Sequence, residues 1–330
     1  MEAPGPTLEI VIVTAPGCRP YLAACLHSLR AGPLTSGQQT VTVVDNASHD
    51  GTEAIVREFD EATWRPMGHN AGFSTANNLA LRDAAAEYLL LLNPDTEVVP
   101  GTLDACLARM RSDPAIGVLG CRLIDAAGAP DPNAKRSLPT RAGALRRLSF
   151  ADRLLGPASY HTPALGFLED GPVGAVSGAF MMIRRAVLAD VGLLDEGFWM
   201  YGEDLDFCAR AAGAGWVVWY EGSAATLHIK GGATGRVRRA RPTIAFHMSM
   251  GRYYRRHLDR RGALDLVVYA GILARLGFVL LLSESTRRLG GRSAGRARQP
   301  ADHVLQRLRP RGAGAREHLG PSDAGEGEHA

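Results

Sequence analysis

The chain has 330 residues, 46% of them hydrophobic, and a formal net charge of +3. That is enough for one large α/β domain with appendages and a sizeable core, and so small a net charge does not imply a polyanion partner, although the arginine-dense stretch from Arg236 to Arg309 favours anionic lipid or nucleic acid. The five cysteines (Cys18, Cys25, Cys106, Cys121 and Cys208) form no CxxC pair, which excludes a zinc ribbon or a disulfide framework and predicts reduced, buried thiols in a cytosolic protein.

Met1 to Ile10 has neither the basic region nor the apolar run of a secretory signal. Leu8 to Thr14 is apolar and β-branched, the pattern of a parallel strand buried on both faces. Tyr21 to Arg30 has helical spacing, with Leu22, Cys25, Leu26 and Leu29 on one face. Thr40 to Val44 is a second strand, ending at Asp45-Asn46, and Asp50-Gly51-Thr52 is a turn that opens a helix through Phe59. Ser74 to Tyr88 reads as a helix capped by Ser74. Leu89 to Leu92 is a wholly buried strand ending at Asn93-Pro94-Asp95, followed by a helix over Thr102 to Arg111 and a strand over Ile116 to Ile124. This alternation predicts an α/β fold with a doubly wound, mostly parallel sheet. Such sheets bind ligands beyond the carboxyl ends of their strands, where Asp45 and Asp95 stand.

Ala126 to Gly171 breaks the pattern; rich in Pro, Ala, Gly and Arg, it reads as a flap or variable excursion. Strand character returns over Val173 to Ile183. A helix follows over Asp204 to Ala212, then strands over Trp216 to Tyr220 and Ala224 to His228, and a helix over Thr243 to Arg261. Residues 1–235 are expected to form the main domain, 236–290 a helical extension, and 291–330 a low-complexity, disordered tail.

Leu266 to Leu282 is apolar all round apart from Arg275. A helix without a polar face is buried in protein or in lipid. As a membrane span it is short, and Arg275 would cost about 2.5–3.5 kcal/mol at the bilayer centre. Basic residues flank both ends (Arg252, Arg255, Arg256, Arg260 and Arg261 before; Arg287, Arg288 and Arg292 after), so the charge asymmetry of a spanning helix is missing. The expectation is a segment that associates with an anionic membrane surface, with packing on the main domain as the rival.

Several polar clusters could carry chemistry. Asp95, after the buried Leu run, could be a metal carboxylate or a plain strand-end acid. Asp45-Asn46 could hold a nucleoside or simply build a βα loop. Gly202-Glu203-Asp204-Leu205-Asp206 puts three acids at a helix start, where the helix dipole alone favours them. Asp206 and Arg210 read as a surface i,i+4 pair. Phe198, Trp199 and Tyr201 precede these acids and could form a sugar platform or a hydrophobic staple. His228 is a possible further metal ligand.

The blocks VTVVDNASHDGT, GHNAGFSTANNLAL, YLLLLNPDTEV and SGAFMMIRRAVLADVGLLDEGFWMYGEDLDFCARAAGAGW, with His228 after them, occur in the order found in family-2 glycosyltransferases. The chain resembles that family over about residues 8 to 235, and its bacterial rhamnosyltransferase-like branch most. The resemblance implies a GT-A fold and an inverting transfer from a nucleotide-sugar donor, with rhamnose from dTDP-rhamnose as first expectation. It implies that Asp95 and His228 bind a divalent metal, Mg²⁺ or Mn²⁺. It further implies that Asp204 is the catalytic base, and that Thr14, Asp45, Asn46, Asn70, Gly72, Asn77 and Asp95 surround the donor. Trp199, Tyr201 and Glu203 are expected on the acceptor side. The acceptor would be a cell-surface glycan or a lipid-linked saccharide, handled at the cytoplasmic face of the membrane.

The sequence departs from the family pattern where the first strand ends Thr14-Ala15-Pro16, without the usual ring and amide near the nucleotide. An inactive nucleotide-sugar-binding scaffold is the alternative of another class. A sugar-1-phosphate nucleotidyltransferase would need a Gly-rich loop after the first strand, which is missing. A nucleic-acid partner is not expected, since no aromatic-basic interleaving or zinc spacing supports one.

Overall fold

The computed structural model describes residues 6–148, 165–229 and 240–289. The strands are β1 (Leu8–Thr14), β2 (Gln39–Asp45), β3 (Ala62–Pro66), β4 (Tyr88–Leu92), β5 (Thr96–Val98), β6 (Ile116–Ile124), β7 (Lys135–Arg136), β8 (Gly171–Pro172), β9 (Ala175–Val176), β10 (Phe180–Arg184) and β11 (Val217–His228). The helices are α1 (Arg19–Ala31), α2 (Thr52–Val56), α3 (Phe73–Leu81), α4 (Thr102–Ser112), α5 (Arg141–Leu148), α6 (Arg185–Val191), α7 (Glu203–Gly213), α8 (Ala240–His257) and α9 (Ala263–Leu289).

The main sheet runs β3-β2-β1-β4-β10-β6-β11-β5, with β8 added on β11. Strands β3, β2, β1 and β4 are mutually parallel, and β11 is parallel to β6; β10 and β5 run antiparallel to their neighbours. This is the mostly parallel α/β sheet that the alternation of elements predicts.

Side-chain alternation along each strand feeds two cores. Leu8, Ile10 and Ile12 of β1 pack with Leu22, Cys25 and Leu26 of α1 on one face, while Val11 and Val13 pack with Ala76 and Ala80 of α3 on the other. All five cysteines are free and buried. Burial pushes the Cys25, Cys121 and Cys208 thiols up to about 12, so these groups are inert packing.

Several local expectations are corrected. Ser74 does not cap α3: Gly72 stands at that cap, and the Ser74 hydroxyl donates to the Phe198 carbonyl at 2.8 Å. The helix stops at Leu81, because Tyr88 is needed in β4, where it pairs with Leu8. The expected strand over Val173 to Ile183 is two pieces, since Ala175–Val176 pairs with β7 while Phe180–Arg184 pairs with β4. The two expected final strands are one, β11, with a register irregularity between Glu221 and Ala225. The helix expected through Phe59 ends at Val56, and β3 and β5 are additional. Asp206 is not on the surface. It is fully buried, taking Arg210 at 2.8 Å, His257 at 2.8 Å and Arg256 at 3.2 Å, and so it bolts α7 to α8.

Helix α9 is half packed and half bare. Asp265, Val268 and Ile272 form a buried stripe at helical spacing against Tyr254 and Met250 of α8 and Ala144 of α5. Asp265 anchors its start, accepting from Tyr254 Oη and Arg141 Nη2, both at 2.6 Å, and from the Gly262 amide at 2.8 Å. Leu266, Val267, Leu273, Phe278 and Leu281 stay exposed. Residues 263–281 are long and apolar enough to cross a membrane, with a mean hydropathy of 2.0 and 17% of the span buried. Segment 149–164 of the flap and the tail at 291–330 lie outside the described residues.

Candidate active site

The ends of β1 and β2 lie side by side, with Thr14 opposite Asp45 in the ladder. Thr14 is buried, and its carbonyl accepts the Asn46 amide at 2.8 Å. Asp45 is buried too, and its carboxylate accepts the Ser48 amide at 2.9 Å, which closes the loop after β2. Asn46 reaches across to the loop before α3. Its Oδ1 accepts the Ala71 amide at 2.8 Å, and its Nδ2 donates to Asn70 Oδ1 at 3.1 Å and to the Gly72 carbonyl at 3.2 Å.

Gly72 has φ +94°, and a Cβ there would sit 2.4 Å from the Trp199 carbonyl oxygen and 2.5 Å from its ring. Only glycine fits. Asn77 turns inward, donating to the Phe73 carbonyl of its own helix at 2.9 Å. Asn78 exchanges hydrogen bonds with the Leu194 backbone at 2.9 and 3.1 Å. The block around α3 is thus a clamp on the segment Leu194 to Trp199, as well as one wall of a cleft.

Across the cleft, the β4–β5 turn carries Asp95, buried, with Oδ1 3.6 Å from His228 Nε2. His228 ends β11, and its Nδ1 is 3.7 Å from Asp131 Oδ2. Both separations are too long for hydrogen bonds, and 3.6 Å is a spacing that two donors to one cation can take. Among the described residues no group of three or more His, Cys, Asp or Glu forms a closed metal cage. A hard cation held by a carboxylate and completed by substrate phosphates does not need one. The carboxylate oxygen suits a hard cation such as Mg²⁺ or Mn²⁺, and the imidazole nitrogen beside it favours a transition metal, so the pair fits Mn²⁺ better than Mg²⁺.

The third group sits at the start of α7. Tyr201 at φ +70° and Gly202 at φ +85° form a left-handed turn that sets Glu203 and Asp204 in the first helical turn. A non-glycine residue in that region stores strain, a recurrent mark of functional sites. Asp204 Oδ2 accepts from Arg136 Nη2 at 2.5 Å and from the Gly178 amide at 3.2 Å, with both side chains of the ion pair nearly buried. Glu203 is buried, and its Oε2 has no hydrogen-bond partner among the described residues. Burial first, then the adjacent Asp204 charge, raises its pKa to about 8.

These parts open on one cavity of about 810 Å³, at the upper end of small-molecule sites. Asn46, Asn70, Tyr201, Glu203, Asp204 and His228 line it, together with Asn93, Pro94, Asp131 and Arg136. Thr14, Asp45, Gly72, Asn77 and Asp95 stand behind that lining. Trp199 also lies outside it, with its ring under the Arg241 guanidinium at 4.5 Å. Asp131 and Arg136 escape sequence reasoning. Asp131-Pro132-Asn133 reads as a turn, and indeed Asp131 accepts the Asn133 amide at 2.8 Å. Arg136 lies in the flap without any local signature, and only the pairing of β7 with β9 carries it to Asp204.

The family model described as glycosyl transferase family 2 matches residues 10–192. The chain belongs to this family. It is a glycosyltransferase using a nucleotide-sugar donor, of the rhamnosyltransferase-like branch. It is 33% identical over 244 residues to the N-acetylglucosaminyl-diphospho-decaprenol L-rhamnosyltransferase of Mycobacterium tuberculosis, covering 69% of this chain and 78% of that one. Among solved structures it resembles GalNAc-T7 with UDP, GalNAc and Mn²⁺, at TM-score 0.59 and 14% identity, covering 87% of this chain but only 55% of that chain. It also resembles the mannosyltransferase PcManGT of Pyrobaculum calidifontis with GDP-Man and Mn²⁺, at TM-score 0.55 and 16% identity, covering 88% and 76%. These likenesses establish the GT-A fold for this family-2 glycosyltransferase.

Proposed function

We propose that the enzyme transfers rhamnose from dTDP-rhamnose to a polyprenyl-diphosphate-linked saccharide, with inversion, at the cytoplasmic face of the membrane. The observation that carries the reading is the convergence of three groups on one cavity: the Asn46–Asn70 loop, His228 with Asp95 just behind it, and the Glu203–Asp204 turn. The donor sugar and the acceptor rest on the mycobacterial relative, whose name carries both.

In this reading Asp45, Asn46 and the loop through Asn70 and Gly72 surround the nucleoside, and Thr14 closes the floor. Asp95 and His228 would hold the divalent metal, Mg²⁺ or Mn²⁺, which when bound would supply Lewis-acid neutralisation of negative charge on the diphosphate. Tyr201 and Glu203 face the acceptor, with Trp199 behind them. Asp204 takes the proton from the acceptor hydroxyl as that oxygen bonds to the anomeric carbon and the bond to the nucleoside diphosphate breaks. Arg136 and the Gly178 amide keep that carboxylate aimed.

The test is transfer from a panel of nucleotide sugars to a lipid-linked acceptor, with the anomeric configuration of the product read by NMR. Inverted product from dTDP-rhamnose is expected. Asp204→Asn should lower kcat by roughly 10²–10⁴ while leaving donor affinity nearly unchanged. A retained configuration would refute the mechanism, and preference for another donor would refute the sugar.

A further inference from the structure

The active-site cavity does not end at the carboxylates. Its walls continue from Asp204 and Arg136 past Leu138 and Ala144 to Met250 and Leu258, and then to Val268 and Ile272 on α9. This second half is mostly apolar, with Thr140, Ser249 and Tyr254 as its polar members. Val268 and Ile272 are the buried stripe of the same helix whose other faces expose Leu266, Val267, Leu273 and Phe278. Helix α9 therefore presents apolar side chains on two sides, Val268 and Ile272 to the end of the chamber and the exposed set to the outside. Nothing in nucleotide-sugar chemistry needs such a wall on the acceptor side of Asp204.

We infer that the groove between α5, α8 and α9 binds the isoprenoid chain of a lipid-diphosphate-linked acceptor, with the lipid entering along α9. This inference rests on the lipid-linked acceptor proposed above and locates where its lipid is held. A cavity of about 810 Å³ is shared between donor, acceptor sugar and lipid, so it takes only the isoprene units nearest the diphosphate, and the rest of a long chain stays outside along the exposed face of α9. Among the described residues, Arg136 is a nearly buried cation that lines the cavity, beside Asp204. An acceptor whose reactive hydroxyl lies at Asp204 would run its diphosphate past this region and its hydrocarbon into the apolar half.

The test uses the full chain in one fixed detergent and two acceptors with the same N-acetylglucosaminyl diphosphate head, one carried on farnesyl and one on methyl. The farnesyl acceptor should have a KM lower by roughly tenfold or more, the gain from burying a few methylenes. Ile272→Trp, which fills the groove, should reduce that preference to about twofold or less. Leu273→Gln, on the exposed side of the same helix, should keep it, which separates a groove from simple detergent partitioning. Calorimetry with farnesyl diphosphate alone covers a failed or misfolded variant, because a photoreactive farnesyl diphosphate bound to the unaltered protein should label α5, α8 or α9. Equal KM values for the two acceptors, unchanged preference in Ile272→Trp, or labelling elsewhere would each overturn the groove. If farnesyl diphosphate binds and labels the groove but neither lipid acceptor receives sugar, the groove stands and the acceptor assignment falls.

Discussion

The Arg136–Asp204 pair is the most consequential contact at the residue scale. Two nearly buried charges 2.5 Å apart are costly to desolvate together and far costlier to leave single. Arg136→Ala should therefore destabilise the fold by about 3–5 kcal/mol in chemical denaturation, and adding Asp204→Asn should recover part of that loss. Additive losses would mean that the pair is not coupled. Glu203 makes a pH prediction. Its ordinary value of 4.5 is raised to about 8 in the fold, chiefly by burial. The folded state then binds a proton that the unfolded state releases across that window, so this group makes stability fall as pH rises from about 4.5 to about 8. Glu203→Gln should flatten the dependence of Tm on pH over that range; an unchanged slope would place the effect elsewhere. At the other end of the cavity, Asp95→Ala should abolish the metal dependence of donor binding measured by calorimetry, and unchanged affinity in the presence of Mn²⁺ would remove Asp95 from the metal pair.

At the scale of elements, the loop before α3 is a steric fit as much as a binding loop. Gly72→Ala forces a Cβ into the Trp199 carbonyl and ring. It should cost about 1–3 kcal/mol from the backbone conformation alone, and shift the Leu194 to Trp199 segment, lowering Tm and weakening donor binding together. A variant with wild-type Tm would show that the clamp is loose. The long apolar runs made most of this framework legible in advance: β1, β4 and β6 are almost wholly buried strands, and the acids that follow β2 and β4, Asp45 at the end of the one and Asp95 in the turn after the other, mark the cleft. What stayed hidden has physical reasons. The strand β3 is a half-buried edge ending in Pro66, so it lacks both the apolar run and the clean alternation. The strand β5 is a three-residue element defined only by its partner β11. Arg136 and Asp131 reach the site through tertiary pairing of the flap, which local pattern does not encode. Asp206 looked like a surface acid because its other partners, Arg256 and His257, are some fifty residues away.

At the scale of the whole molecule, the bare side of α9 needs a cover. Apolar burial and the arginines flanking the helix favour an anionic bilayer, at about 1 kcal/mol per well-placed charge. Full-length protein should float with anionic vesicles and be released by salt; protein that stays at the bottom of the gradient at low salt would count against docking. Deletion from Leu264 should abolish flotation, but it also removes Val268 and Ile272 from their contacts with Tyr254 and Met250, so some loss of Tm is expected with it. The bolt at Asp206 has a consequence for such a docked enzyme. Asp206 lies two residues beyond Asp204 on α7 and is tied to Arg256 and His257 at the end of α8, whose Tyr254 is tied in turn to Asp265 at the start of α9. Asp204 and helix α9 thus belong to one hydrogen-bonded frame. If that frame rests on a bilayer, it would fix the height of the Asp204 carboxylate above the lipid, and the enzyme would act as a depth gauge, selecting acceptors by how far their hydroxyl stands from the membrane as well as by its chemistry.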